Sequence, residues 1–95
     1  QDGADAEQLR RYIRDEAEIE IAYLDLEERQ SRRAIQPLAL IYYIDVVILI
    51  AWCTLRLDFR HFRIDRITEC APTGCHFTAE AAALLEGLAE RAASA

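Results

Sequence analysis

Apolar and polar residues change rhythm several times along this chain, and each change marks an element. Across residues 5–17, Leu9, Tyr12 and Ile13 return to one helical face while Arg10, Arg11 and Arg14 occupy the others, which predicts a helix. Ile19, Ile21 and Tyr23 then alternate with Glu18, Glu20 and Ala22, the period of a half-buried strand. Asp25 to Gln30 is polar and reads as a turn. A second strand is expected from Ser31 towards Leu40, with Pro37 placing part of it at an edge or bend. Val46 to Leu55 makes a third, Leu57-Asp58 a short connection, Phe59 to Asp65 a fourth, and Ile67 to Ala71 a fifth. Pro72-Thr73-Gly74 has the residues of a turn, followed by a short strand at His76-Phe77. Thr78 has the chemistry of an N-cap, and Ala81, Leu84, Leu85 and Leu88 form the apolar stripe of a closing helix.

The order is helix, about five strands, helix. Short strands with no helix between them favour a mainly β fold, a small and strongly bent antiparallel barrel, over a βαβ sheet. Its expected core is Ile19, Ile21, Leu38, Leu40, Ile48, Ile50, Phe62 and Ile64, closed by the helix at 78–90. The apolar run from Leu38 to Leu55 has nearly the length of a membrane span. Tyr42, Tyr43 and Asp45 interrupt it where a span is least tolerant, and its Ile and Val content suits two buried strands joined at Tyr43-Ile44-Asp45. No membrane association is expected.

Ninety-five residues, 53% of them hydrophobic, suffice for one domain with a core. The chain has no Met and begins at Gln1, so a single domain over 1–95, cut from a longer protein, is expected. The net charge of −6 by itself argues against a general nucleic-acid binder, but the charge is unevenly placed. Residues 1–28 carry three Arg against ten acids, −7; residues 29–66 carry seven Arg against three Asp, +4; residues 67–95 carry one Arg against four Glu, −3. Every basic residue is Arg, a choice that fits a GC-rich genome and also bidentate contact with phosphate or carboxylate. Cys53, Cys70 and Cys75 form no disulfide framework or zinc pattern, which suggests the reducing cytoplasm and no metal or other cofactor.

The candidate chemistry gathers in Arg56 to Ile67, where Arg60, Arg63 and Arg66 interleave with apolar residues. Two readings stand: surface pairing with Asp58, Asp65 or Glu69, or contact with an anion. Arg33 admits the same two readings, whereas Arg32 and Arg56 read as solvated. His61 reads first as an exposed strand residue. Tyr42 and Tyr43 are expected to divide, one towards the core and one towards solvent. An enzyme is not expected, because no nucleophile with a base, no paired-Glu site and no Gly-rich phosphate loop is visible.

Four segments, in order, resemble one family. They are Ile19-x-Ile21-x-Tyr23, then Arg33-Ala34-Ile35-Gln36-Pro37-Leu38-Ala39-Leu40, then Ala51-Trp52-Cys53-x-Leu55-Arg56, and finally Arg60-His61-Phe62-Arg63-Ile64-Asp65-Arg66-Ile67 with the later Phe77. Together they resemble the WYL domain of bacterial DeoR-like transcription regulators, which carry a winged helix-turn-helix before it. The resemblance implies an Sm-like, SH3-type barrel and an effector-sensing role, with single-stranded nucleic acid or a nucleotide as ligand. Ligand contacts are then expected from Arg33, Arg60, His61, Arg63 and Arg66, duplex DNA being met only by the part outside this chain, in a homodimer. The apolar run at 46–55 is a candidate dimer edge. One departure stands out: the Trp-Tyr-Leu tripeptide that names the family falls at Val47-Ile48-Leu49, where only Leu is kept. Loss of the aromatic pair supports a second reading, an interaction and dimerisation module without ligand binding.

Overall fold

The computed structural model describes residues 4–94. Helix α1 (Ala6–Asp15) leads into strands β1 (Ala17–Leu24), β2 (Gln30–Tyr42), β3 (Val47–Cys53) and β4 (Asp58–Arg63). A 3-10 turn (Ile64–Arg66) joins β4 to β5 (Ile67–His76), and helix α2 (Thr78–Ser94) follows. The strands form one antiparallel sheet in the order β4-β3-β2-β1-β5. The expected mainly β architecture, five strands with a helix at each end, is therefore present. Its hydrogen-bonded ladder is open, and the two end strands, β4 and β5, are neighbours in sequence joined only by the 3-10 turn.

Both ends of α1 have a local cause. Asp5 caps α1 by accepting the Gln8 N–H at 2.8 Å, and Glu16 ends it in the left-handed region at φ 55°, returning its N–H to the carbonyl of Ile13. β1 starts at the next residue. The Phe77 N–H donates to the Glu16 carbonyl at 2.9 Å, which ties the end of β5 to the start of β1.

β2 divides its length between two partners. Residues Gln30 to Ile35 pair with β1, and Ile35 to Tyr42 pair with β3. Pro37, which has no N–H to give, lies just beyond the β1 pairing, beside a register shift between Pro37 and Ala39. The expected bend is there.

Alternation gives the sheet two apolar faces. On one, Ile19, Ile21, Ile35, Leu49, Ala51, Phe62 and Ile67 pack with Leu9 of α1. On the other, Leu38 packs with Phe77 and Ala81 of the α2 end, bordered by Trp52, Phe59, Leu84 and Leu88. Trp52 and Phe59 meet edge to face at 5.0 Å. Gly87 of α2 faces the Phe59 ring, where a Cβ would make an ordinary contact at 3.5 Å. Arg91 finishes the contact by pairing with Asp58 at 2.9 Å and lying 5.5 Å over the same ring.

Several expectations change. Pro72-Thr73-Gly74 is not a turn between strands but part of β5: its pairing with β1 shifts register between Ala17 and Ile19, and Gly74 takes φ 92° there. The predicted strands at 67–71 and 76–77 are thus one bulged strand. Leu40, Ile48 and Ile64 are half-buried, not core, and Ile64 opens the 3-10 turn. Tyr42 and Tyr43 are both exposed, at the end of β2 and in the β2–β3 hairpin. β3 lies between β2 and β4, so it is no edge for a dimer.

Leu49 is fully buried in the α1-side cluster and Leu55 is exposed in the β3–β4 turn. Leu49→Ala should cost about 2–5 kcal/mol in urea unfolding. Leu55→Ala should stay within about 0.5 kcal/mol. Equal losses would contradict this core.

Candidate functional site

The β1–β2 turn and the β3–β4 turn lie at the same end of the sheet. Between them runs a groove of about 440 Å³ lined by Tyr23, Asp25, Arg29, Gln30, Ser31, Arg33, Arg56, Arg60, His61 and Phe62. Its apolar part is an edge-to-face pair, Tyr23 against Phe62 at 5.1 Å, and the Tyr23 hydroxyl accepts the Arg63 N–H at 3.1 Å. Strand geometry sets the cations around it. Arg33 stands opposite Ile21, and Arg60 opposite Ala51, on the face that carries Phe62. Arg56 comes from the turn between β3 and β4.

These arginines differ in how they are engaged. Arg29 is neutralised, bonding Asp25 at 3.1 Å and Glu27 at 2.7 Å. Arg33 extends one guanidinium nitrogen to the Cys53 sulfur at 3.8 Å, while its Nε is buried without a hydrogen-bond partner. Among the described residues no carboxylate forms an ion pair with Arg33, Arg56 or Arg60. In a chain of net charge −6 this is a local concentration of unneutralised guanidinium donors. Burial by itself would raise the Cys53 thiol pKa. The N–H groups of Arg56 and Leu55, with Arg33, outweigh it and bring the pKa below its ordinary value.

Of the five residues expected to contact ligand, Arg33, Arg60 and His61 come together here. Arg63 and Arg66 do not line the groove. Arg63 makes a bidentate pair with Asp65, at 3.1 and 2.9 Å, which raises its pKa and lowers that of Asp65. Arg66 projects from the 3-10 turn and donates to the carbonyls of Asp25 at 2.9 Å and Leu24 at 3.4 Å. It fastens the β1–β2 turn, which is one wall of the groove.

Two lining arginines escaped the sequence reading. Arg56 looked solvated and Arg29 stood in a polar turn; the available signal was their position in turns at the same end of the sheet. Within the β1–β2 turn, Asp25 accepts the N–H groups of Glu27 and Arg29, each at 2.9 Å. Glu28 takes φ 62° there. Among the described residues, no group of His, Cys, Asp or Glu is placed to hold a metal ion. Nor is any helix among them long and apolar enough to cross a membrane.

The model of the WYL domain family matches residues 5–72, a span that holds all ten groove residues. Among solved structures, the fold resembles part of proteasome accessory factor B/C (PafBC) of Arthrobacter aurescens. The TM-score is 0.73 and the identity 22%, over 85% of this chain and 14% of that one. At that identity the likeness is one of fold.

Asp25 tests how the groove wall is held. Its pKa lies below the ordinary carboxylate value, first because the Arg29 N–H donates to it and then because of the Arg29 side chain and the Glu27 N–H, against opposition from burial. A depressed carboxylate contributes stability above its unfolded pKa and loses it as pH falls through its folded pKa. The gap in Tm between the wild type and Asp25→Asn should therefore be present at about pH 6 and close by about pH 2. A gap unchanged across that range would show that the charge on Asp25 does not hold the turn.

Proposed function

The chain belongs to the WYL domain family, and on that footing we propose that it is the effector-sensing domain of a bacterial transcription regulator. In this reading it binds single-stranded nucleic acid or a nucleotide in the groove between the two turns. The observation that carries the reading is the set Arg33, Arg56 and Arg60, lining one groove with no carboxylate paired to them among the described residues. A guanidinium offers planar paired donors to a phosphate. Tyr23 and His61 add aromatic surface on which a base can stack. A single strand can thread such a groove, whereas a rigid duplex would carry many phosphates towards the acidic flanks of the chain.

Arg33, Arg56, Arg60 and His61 are the proposed direct contacts. Arg63 and Arg66 act in this proposal from behind them, Arg63 bonded to Tyr23 through its N–H and Arg66 through the β1–β2 turn. The domain acts without catalysis, in the cytoplasm, as a part of a longer regulator whose duplex-DNA contacts lie elsewhere; the similar fold in PafBC occupies 14% of that chain. A homodimer belongs to the same proposal, because regulators of duplex DNA commonly meet paired half-sites.

A second reading, an interaction module without a ligand, draws on Val47-Ile48, which stand where the family's aromatic pair would be, and on the exposed Tyr42, Tyr43 and Ile44.

Fluorescence anisotropy with a labelled single strand of roughly ten nucleotides discriminates the readings. Binding should weaken as salt rises, with a slope of roughly −0.7 per phosphate contact. Arg33→Ala, Arg56→Ala and Arg60→Ala should each weaken binding by roughly tenfold, about 1.4 kcal/mol. Arg11→Ala, outside the groove lining and paired with Glu7, should not. Absence of binding in low salt, or an equal loss from Arg11→Ala, would leave the interaction module standing.

A further inference from the structure

At the end of β2 remote from the groove, α1 and β2 enclose an open trough of about 450 Å³. Ile13, Ala39 and Leu40 supply its apolar surface, Arg10 and Arg14 its rim, and Tyr42 one wall. The Arg10 guanidinium bonds the Tyr42 hydroxyl. Beside it, the β2–β3 hairpin carries the most exposed large apolar residues of this end. Tyr42 and Tyr43 are more than half exposed and Ile44 is fully so, turned out by a tight loop in which the Tyr43 N–H donates to the Val46 carbonyl at 2.9 Å. Leaving three consecutive large apolar side chains in water costs about 25 cal/mol for each Å² exposed. Tyr and Arg are also the residue types enriched at protein interfaces.

We propose that this end of the molecule is a two-fold interface between copies of the chain, with Ile44 of each copy seated in the α1–β2 trough of the other. The inference names the surface of the dimer proposed above, and rests on that dimer but not on ligand binding. Three observations fix the occupant. The projecting side chain and the receiving trough are next to each other on one molecule, so a two-fold axis satisfies both at once and the assembly closes. The Ile44 side chain is apolar, as is the trough surface given by Ile13, Ala39 and Leu40. Asp45, the next residue, is exposed and forms no ion pair among the described residues, although Arg63 feels its charge. In the two-fold pair it meets the partner rim formed by Arg10 and by Arg14, whose 3.5 Å pairing with Asp15 is solvent-exposed, so charge is self-complementary.

The experiment is sedimentation of the 95-residue chain from about 10 to about 300 μM, the range in which a small interface associates. The wild type should sediment at twice 10.9 kDa at the upper concentrations. Ile44→Asp should be monomeric with an unchanged circular dichroism spectrum, and Leu26→Asp, an exposed leucine at the opposite end of β2, should remain dimeric. Charge reversal gives the sharper reading. Asp45→Arg alone and the double variant Arg10→Glu, Arg14→Glu alone should each be monomeric, and an equimolar mixture should regain the dimer. A monomeric wild type would overturn the dimer itself. A dimeric wild type whose mass survives Ile44→Asp, or a charge-reversed mixture that stays monomeric, would overturn this surface while leaving the dimer in place.

Discussion

The hydrogen bonding of one strand governs the rest of the molecule. A strand of 13 residues cannot stay flat in so small a domain, and β2 resolves this by giving its first half to β1 and its second to β3, with Ile35 common to both. Past Ile35 one side of β2 has no β1 partner. A residue without an N–H costs least there, and Pro37 occupies that region. Because the two hairpins meet at this bend, the sheet wraps one face around Leu9 and presents the other to Phe77 and Ala81. Both clusters are anchored on β2, through Ile35 on one side and Leu38 on the other.

The same bend separates two kinds of surface. The end where β2 begins is built from turns, Asp25 to Arg29 and Thr54 to Leu57, and carries guanidinium groups between them. The end where β2 stops carries aromatic and aliphatic residues that no helix covers. Both surfaces border the α1-side core, the groove through Tyr23 and Phe62 and the trough through Ile13 and Leu40. The exposed side chains beyond these, such as Arg56, Arg60 and Ile44, can vary with little effect on packing, which is the usual division between a scaffold and the residues mounted on it.

Much of the scaffold was legible because burial follows period. Ile19, Ile21 and Tyr23 announce β1, Leu9 and Ile13 announce α1, and Tyr43 to Asp45 mark the hairpin within a run that could pass for a membrane span. Local chemistry hid the rest. Pro72 and Gly74 mark a turn and a bulged strand equally well, and only the distant pairing of Ala17 with His76 distinguishes them. The arginines were harder still. Alternation assigns a face to each but says nothing about acids within reach, so Asp65 could claim Arg63, and the 3-10 turn could swing Arg66 onto backbone carbonyls. Arg56 was obscured for the opposite reason: a residue in a turn has no periodic neighbours, and its place in the groove follows only from two turns folding to the same end.

The α2 contact makes the molecule its own optical reporter. Trp52, the one tryptophan in the sequence, lies against Phe59, which also faces Gly87 of α2 and is covered by Arg91. Its indole emission is therefore governed by whether α2 is seated, while the arginine groove contains only tyrosine, phenylalanine and histidine as aromatic groups. A red shift in tryptophan emission signals lifting of the helix. Tyrosine emission, which arises at Tyr12 on α1, Tyr23 at the groove and Tyr42 and Tyr43 at the hairpin, lies at shorter wavelength, so red-edge excitation isolates the tryptophan signal from events at those sites.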